Sequence, residues 1–223
     1  MDLRKDSFRK VFAILESRSQ EFYRIVETGT AFGTDKWLQS GQSTLLFDKF
    51  LNFGDNDGII HSVDLDPASC AVSKNITSGK VSVHAGDSVE FLRDLKDNLE
   101  RNDEFIDLIY LDSWDVTEDN WKGGDGADLE PSTHALKELQ AILPRLRKDG
   151  GILLVDDNMP EHLTAADDVR EAFKRTHGLA LPWQYEEGEG RRIRGKGRLV
   201  ADFMRTQTDC EVLFWGWQLA WIC

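Results

Sequence analysis

Carboxylate side chains follow five short apolar segments of the chain, each typical of a β-strand. They are Glu27 in VETGTAFG, Asp64 and Asp66 in SVDLDP, Asp87 in HAGDS, Asp112 and Asp115 in LDSWD, and Asp156 and Asp157 in VDDN. Carboxylates can accept hydrogen bonds from hydroxyl groups, hold a divalent ion or take up a proton. Ligands of open parallel α/β sheets bind at the carboxyl ends of the strands, so we expect these acids to surround the functional site.

The first of these segments continues into the turn Glu-Thr-Gly-Thr-Ala-Phe-Gly, residues 27–33. Gly29 and Gly33 allow the backbone to pass close to a ligand. The turn lacks the G-x-G-x-x-G spacing of dinucleotide-binding turns. A rim of carboxylates would repel a pyrophosphate but attract a sulfonium and an ammonium group, so the pattern favours S-adenosylmethionine over NAD.

Segments with helical periodicity alternate with the five apolar segments. Strands are predicted in YRIVETG, GIIHSVDLD, VSVHAGD, FIDLIYLDS and GILLVDD, and helices over 3–23, 35–52, 67–76, 88–100, 132–148 and 163–177. Asp66, which precedes Pro67, is the better candidate for a helix N-cap, and Asp87 could cap the next helix. The alternation predicts an α/β, Rossmann-like, doubly wound fold with a mostly parallel, seven-stranded sheet.

The carboxyl-terminal region departs from this alternation. RLVADFMRT (198–206) and EVLFWGWQLAWI (211–222) are separated by only four residues, which is too short for a crossover helix. We therefore predict that both are strands and that the sheet ends in an antiparallel hairpin. Trp215, Trp217 and Trp221 would share one face of the last strand, where we favour a buried core position over an aromatic substrate wall.

In their order, these motifs resemble those of the class I S-adenosylmethionine-dependent methyltransferases over nearly the whole chain. The motifs are Glu27-x-Gly29-x-x-x-Gly33, Asp64, Gly86-Asp87-Ser88, Leu111-Asp112-Ser113-Trp114 and Asp156-Asp157-Asn158. LDSWD and LLVDDN are similar to the metal-dependent small-molecule O-methyltransferases, such as catechol-type and bacterial sugar or natural-product enzymes. The resemblance implies a cofactor site made of these residues: Glu27, Gly29 and Gly33 at the methionine part, Asp64 at the ribose, Asp87, Ser88 and Trp114 at the adenine, with Thr30 and Asp112 as further contacts.

Asp112, Asp156 and Asp157 are candidate ligands of a divalent metal. If the fourth and fifth strands are neighbours, about 4.8 Å apart, these carboxylates converge, and a raised pKa or a cation must relieve their repulsion. Oxygen ligands favour Mg²⁺, which would bind the acceptor hydroxyl and lower its pKa. A one-residue shift against the catechol-type enzymes would use Asp157 and Asn158 instead. In the alternative interpretation, the acids cap helices or hold water without a metal.

The residue that would accept the proton in such a reaction is not identified by the sequence. Catechol-type enzymes have a lysine three residues past the ligand at the end of the fourth strand, whereas this chain has Asp115. Asp115 is therefore a further metal ligand, or another group removes the proton. The candidates are Lys122, His134 and His162. The charged, glycine-rich segments 115–131 and 181–198 are predicted to be lids that select the acceptor.

Composition and charge indicate one enzyme-sized domain that avoids polyanions. The chain has 223 residues, 40% hydrophobic side chains and a formal net charge of −13, which opposes binding to nucleic acid or to an anionic membrane. We interpret the basic run RRIRGKGR (191–198) as a solvated loop. Cys70, Cys210 and Cys223 indicate neither a disulfide framework nor a zinc site and fit a reducing cytoplasm. Residues 1–24 are expected to form a helix that packs on a domain of residues 25–223.

We therefore expect a cytoplasmic enzyme that transfers a methyl group from S-adenosylmethionine to a hydroxyl of a small polar acceptor, assisted by Mg²⁺ or another divalent ion. A homodimer is left open. The alternatives are an N-methyltransferase or aminopropyltransferase on the same fold, a nicotinamide oxidoreductase, and a non-catalytic module that binds S-adenosylmethionine.

Overall fold

Helices and strands alternate along the computed structural model, which describes residues 2–33, 42–54, 56–114, 128–159 and 194–223. The helices are α1 (Asp2–Ser17), α2 (Ser43–Phe53), α3 (Pro67–Ile76), α4 (Ser88–Arg101), α5 (Leu129–Ile142), which a 3₁₀ turn (Leu143–Arg145) follows, and α6 (Gly197–Met204). The strands are β1 (Tyr23–Thr28), β2 (Gly58–Asp64), β3 (Val81–Ala85), β4 (Leu108–Leu111), β5 (Ile152–Val155), β6 (Asn158–Met159), β7 (Arg194–Gly195), β8 (Glu211–Trp215) and β9 (Leu219–Ile222).

Seven of the strands form one sheet in the order β3-β2-β1-β4-β5-β9-β8. Strands β1 to β5 are parallel, whereas β9 is antiparallel to both β5 and β8. The strand order reverses between β1 and β4, and such a switch point leaves a crevice at the carboxyl ends of the strands. The predicted doubly wound α/β fold with an antiparallel end is confirmed.

Apolar side chains cover the sheet on both faces. One core contains residues of α4, α5 and α6, and the other contains residues of α1 and α2. All residues of β4 and β5 are buried, as expected for central parallel strands. In α1, Phe8, Val11 and Leu15 are buried, so this helix packs on the sheet. No helix in the described ranges is long and apolar enough to cross a membrane.

The segment RLVADFMRT is the helix α6, so the predicted strand there is wrong. Val200, Ala201 and Met204 are buried, and this spacing is that of one helical face rather than of a strand. Both strands of the hairpin lie within EVLFWGWQLAWI, on either side of residues 216–218. Trp215 and Trp221 meet edge to face across the hairpin at 6.4 Å, and Trp221 is buried in the core.

Three helix boundaries also differ from prediction. Helix α1 ends at Ser17 rather than at residue 23, where β1 already begins. Helix α5 begins at Leu129 rather than at Ser132 or Thr133, because Pro131 is compatible with the first turn of a helix. It ends at Ile142 rather than at residue 148, just before Pro144, which cannot continue the helix. The first residues of the predicted helix 35–52 and the whole predicted helix 163–177 lie outside the described residues.

A disulfide joins Cys210 to Cys223, contrary to the sequence-based expectation. Glu211 pairs with Ile222 at the open end of the hairpin, so the two flanking cysteines become neighbours. Their separation of 13 residues carries no signature that would distinguish them from buried Cys70, which is free.

We predict that reduction of this disulfide lowers the free energy of unfolding by about 3 kcal/mol, because a closed loop of about 15 residues restricts the unfolded chain by that amount. Guanidinium denaturation with and without reductant measures the difference. In a variant that carries both Cys210→Ser and Cys223→Ser, reductant should have no further effect. Three titratable thiols in the denatured, unreduced protein would contradict the assignment.

Candidate functional site

A cavity of about 430 Å³ opens at the carboxyl ends of β1 to β4, where the strand order reverses. Each strand end contributes to its wall. The lining residues are Gly29, Val63, Asp64, Leu65, Gly86, Asp87, Ser88, Ser113, Trp114 and His134. The structure thus brings together five of the predicted cofactor contacts: Gly29, Asp64, Asp87, Ser88 and Trp114.

Asp64 presents a carboxylate that the backbone holds in place. Its Oδ2 accepts a hydrogen bond from the Thr30 N–H at 3.1 Å, and its Oδ1 accepts one from the Asp66 N–H at 2.8 Å. Each oxygen keeps a lone pair for a further donor. Asp66 caps α3 by accepting from Ala68 and Ser69, as predicted. The carboxylate of Asp64 is therefore not used as a helix cap.

Two large apolar side chains that line the cavity are exposed. Leu65 is 77% exposed and Trp114 is 46% exposed. A Cβ atom at Gly86 would meet no atom within 4 Å, so the wall leaves open space there. A flat apolar ligand that covers Leu65 and Trp114 would be stabilised by about 25 cal/mol for each Å² of apolar surface that it removes from water.

The other predicted contacts of the cofactor do not line the cavity. Glu27 is fully buried and accepts hydrogen bonds from Thr44 Oγ1 at 2.6 Å and Ser62 Oγ at 2.9 Å. Its Oε1 has no partner among the described residues. Thr30 turns its hydroxyl to Ser73 Oγ, at 2.8 Å. The carbonyl oxygen of Gly33 accepts a hydrogen bond from Gln42.

Gly29 is required for packing as well as for access. Its φ is +85°, and a Cβ atom there would lie 2.7 Å from the carbonyl oxygen of Asp112. The glycine allows the turn after β1 to approach the end of β4, which sets the width of the crevice.

His134 and Ser88 form a polar group with Glu138 at one end of the cavity. His134 Nε2 lies 3.0 Å from Ser88 Oγ and 3.2 Å from Glu138 Oε1, and Ser88 donates to the same carboxylate at 2.5 Å. The hydrogen bond to Glu138 raises the pKa of His134, although burial opposes it. Asp87 caps α4 by accepting from Glu90 N–H at 2.9 Å. Sequence analysis missed Glu138, whose position one helical turn after His134 was the available signal.

Asp112, Asp156 and Asp157 converge at the ends of β4 and β5, as predicted, because Leu111 pairs with Val155 in the sheet. Two basic side chains lie between them. Lys196 Nζ is 2.5 Å from Asp112 Oδ1 and 3.0 Å from Asp157 Oδ2. Arg4 Nε is 2.6 Å from Asp156 Oδ2, and Arg4 Nη2 is 2.8 Å from Asp157 Oδ1.

Two neutral side chains complete this group, which we call the acid–base cluster: Arg4, Tyr110, Asp112, Asp156, Asp157, Lys196 and Gln218. The Tyr110 hydroxyl contacts Asp156 Oδ2 and lies 3.2 Å from Asp112 Oδ2. Gln218 Nε2 donates to Asp156 Oδ2 at 3.1 Å. Neither Arg4 nor Lys196 was expected here. Lys196 belongs to the basic run that we interpreted as a solvated loop, yet its side chain is 1% exposed.

Burial and charge shift the titration of this cluster. Burial raises the pKa of Asp112 well above its usual range, Asp156 and Asp157 raise it further, and Lys196 lowers it. Burial lowers the pKa of Lys196, but Asp112 and Asp157 more than offset this and the net shift is upward. Lys196 therefore stays charged, while Asp112 holds a proton more readily than an ordinary aspartate.

The residues described at this edge do not fit a divalent metal. No group of three or more His, Cys, Asp or Glu side chains in the described ranges could hold one. Asn158, an alternative ligand, uses its amide for structure: Nδ2 donates to the carbonyl oxygens of Val155 and Asp156, and Oδ1 accepts from Gly197 N–H at 2.6 Å. Asn158 thereby holds the start of α6 next to Lys196. The candidates Asp115, Lys122 and His162 lie outside the described residues.

Comparisons with known proteins do not assign this chain to a family. No family model and no curated protein matches it. Among solved structures, LepI in complex with SAM has a TM-score of 0.49 at 12% identity, over 95% of this chain and 45% of that chain. The DhpI-SAM-HEP complex has a TM-score of 0.42 at 13% identity, over 99% and 86%. The short-chain dehydrogenase/reductase YIR035C from Saccharomyces cerevisiae has a TM-score of 0.41 at 17% identity, over 56% and 49%. The chain spans about half the length of LepI and of YIR035C, and nothing about function follows from these similarities.

We predict that Glu27 makes the fold less stable as the pH rises from about 4.5 to about 7. Burial raises the pKa of Glu27 to about 7, against the hydrogen bonds of Ser43, Thr44 and Ser62. The folded state therefore binds this proton more tightly than the unfolded chain does. The stabilisation is fully present below pH 4.5, declines as the pH rises to about 7 and is absent above it. The loss should reach about 3 kcal/mol at alkaline pH.

Urea denaturation at a series of pH values measures this effect. Glu27→Gln, which cannot ionise, should remove the slope and should be more stable than the unsubstituted protein at alkaline pH. Glu90→Gln, on the exposed face of α4, is the matched control and should keep the slope. Equal slopes for Glu27→Gln and the unsubstituted protein would refute the prediction.

Proposed function

We propose that this chain transfers a methyl group from S-adenosylmethionine to a hydroxyl group of a small polar acceptor. The observation that carries the proposal is the cavity at the switch point of the sheet, which collects Asp64, Asp87, Ser88 and Trp114 in one wall. These residues follow three different strands, yet they surround one space that suits a nucleoside in size and chemistry.

The wall matches the parts of an adenosine. The backbone-held carboxylate of Asp64 can accept hydrogen bonds from both ribose hydroxyls. Leu65 and Trp114 can cover the two faces of a purine, and Ser88 with His134 supplies polar atoms at its edge. No lysine or arginine is among the described residues that line the cavity. A pyrophosphate would find no cationic side chain there, which favours S-adenosylmethionine over a dinucleotide.

Asp112 is the described residue best suited to receive the proton of the acceptor. When bound, S-adenosylmethionine supplies an electrophilic methyl group, and the attacking hydroxyl has to lose its proton during transfer. Asp112 directly precedes the lining residues Ser113 and Trp114, and its side chain is 19% exposed. A carboxylate with a raised pKa is a stronger base than an ordinary aspartate. Lys196 holds this carboxylate in position.

His134 is assigned a positioning role rather than that of the general base. Its Nε2 lies 3.0 Å from Ser88 Oγ and 3.2 Å from Glu138 Oε1, so this nitrogen is already engaged by two side chains of the wall. It therefore orients the Ser88 hydroxyl at the end of the cavity. Lys122 and His162, the other candidates for the general base, lie outside the described residues, as does Asp115.

The binding of S-adenosylhomocysteine tests the proposal. At about 100 times its dissociation constant, this product should raise the free energy of unfolding by about 2.7 kcal/mol, whereas NAD and NADP should not. Asp64→Asn should weaken the binding about 10- to 100-fold, because one charged acceptor of the ribose hydroxyls is lost. Asp94→Asn, on the exposed face of α4, should bind normally. Stabilisation by a dinucleotide alone would instead favour the oxidoreductase.

The role of Asp112 has its own test. With an acceptor identified in a panel of phenols and sugars, Asp112→Asn should lower kcat at least ~10²-fold and leave the affinity for S-adenosylhomocysteine within about twofold. Release of S-adenosylhomocysteine measures the rate. A near-normal rate would remove Asp112 from the mechanism, and product binding without turnover on any acceptor would favour a non-catalytic module.

A further inference from the structure

The acid–base cluster lies at the edge of the sheet where sequence analysis predicted a divalent metal. Whether an ion could bind there depends on the carboxylate oxygens that would be its ligands. Mg²⁺ needs such oxygens at about 2.1 Å with their lone pairs directed at the ion. The hydrogen bonds of the three carboxylates therefore decide whether a metal fits.

Lys196 and Arg4 donate to three of the four carboxylate oxygens of Asp112 and Asp157, and the Tyr110 hydroxyl lies near the fourth. Asp112 Oδ1 accepts from Lys196 Nζ at 2.5 Å, and its Oδ2 lies 3.2 Å from the Tyr110 hydroxyl. Asp157 Oδ1 accepts from Arg4 Nη2 at 2.8 Å, and its Oδ2 lies 3.0 Å from Lys196 Nζ. The ammonium group thus bridges the two acids at the place where a bridging ion would lie.

Both oxygens of Asp156 are occupied in the same way. Its Oδ1 accepts from the Asp157 N–H at 2.7 Å. Its Oδ2 accepts from Arg4 Nε at 2.6 Å and from Gln218 Nε2 at 3.1 Å, and it also contacts the Tyr110 hydroxyl. Five of the six carboxylate oxygens therefore have a donor other than Tyr110, whose single proton is shared between Asp112 Oδ2 and Asp156 Oδ2.

The two cations are held in position by the fold. Arg4 is placed by α1, where Phe8 and Val11 are buried, and its side chain is 15% exposed and lies over the ring of Trp217. Lys196 is placed by the hydrogen bond between Gly197 N–H and Asn158 Oδ1. A metal would have to displace these two charged side chains from the carboxylates that they contact.

We propose that Arg4 and Lys196 are built-in counterions that take the place of a divalent ion at this edge. The chain then binds no Mg²⁺ or Mn²⁺ there. If the proposed function holds, its methyl transfer does not depend on a metal, and α1 is part of the active centre because it supplies Arg4. This part of the inference rests on the proposed function; the absence of metal binding does not.

Titration with MgCl₂ and MnCl₂ tests the inference on the intact protein. Calorimetry should show no binding at millimolar concentrations, and the melting temperature should match that in NaCl of equal ionic strength. Lys196→Met removes the bridging ammonium and should gain stabilisation by Mg²⁺ in the same assay. Lys137→Met, on the exposed face of α5, should respond as the unsubstituted protein does.

Binding of Mg²⁺ to the unsubstituted protein that Asp156→Asn abolishes would overturn the inference. So would a folded Lys196→Met variant that is indifferent to Mg²⁺. Should Lys196→Met not fold, Arg4→Met takes its place, with Arg9→Met on the exposed face of the same helix as its control. Binding of S-adenosylhomocysteine is measured separately, so that loss of the proposed function and loss of this inference give different results.

Discussion

The need to neutralise three carboxylates that converge at the ends of β4 and β5 is the constraint on which the rest of the site depends. Parallel pairing of these strands brings Asp112, Asp156 and Asp157 together whatever else the chain does. Buried like charges are strongly unfavourable unless each one is paired and hydrogen-bonded. The fold meets this constraint with Arg4 from the first helix and Lys196 from the segment before α6. Distant parts of the chain are thereby tied to one edge of the sheet.

The same edge contains a second zone whose polar groups remain available to a ligand. Asp64 is held by two backbone N–H groups but keeps acceptor capacity toward the cavity, and Leu65 and Trp114 beside it are exposed. The acids of the acid–base cluster, by contrast, already have cationic partners. Asp64, whose oxygens can each accept a further hydrogen bond, is thus suited to bind a ligand, whereas Asp156 and Asp157 hold Arg4 and Lys196 in place. Asp112 joins the two zones, because it pairs with Lys196 and precedes the lining residue Ser113.

Sequence reasoning succeeded where the signal is local and failed where a contact is long-range. Asp66 was identified as a helix cap because its partners, Ala68 and Ser69, follow it directly. The segment 198–206 was assigned to a strand because of the short connection that follows it, although its apolar residues have the spacing of one helical face. The basic run at 191–198 was interpreted as a solvated loop because the carboxylates that pair with Lys196, those of Asp112 and Asp157, are far from it in sequence.

The sequence was enough to predict the parallel sheet and the edge at which its acids collect. These features depend on apolar periodicity and on residues within a few positions of each other. The packing of the helices and strands sets which cation meets which acid, that Cys210 bonds to Cys223, and that the predicted metal ligands are paired with Arg4 and Lys196. Arg4 and Asp156 are 152 residues apart, and Lys196 and Asp112 are 84 apart. Pairings at such separations depend on how helices and strands pack, and a local sequence pattern does not predict that packing.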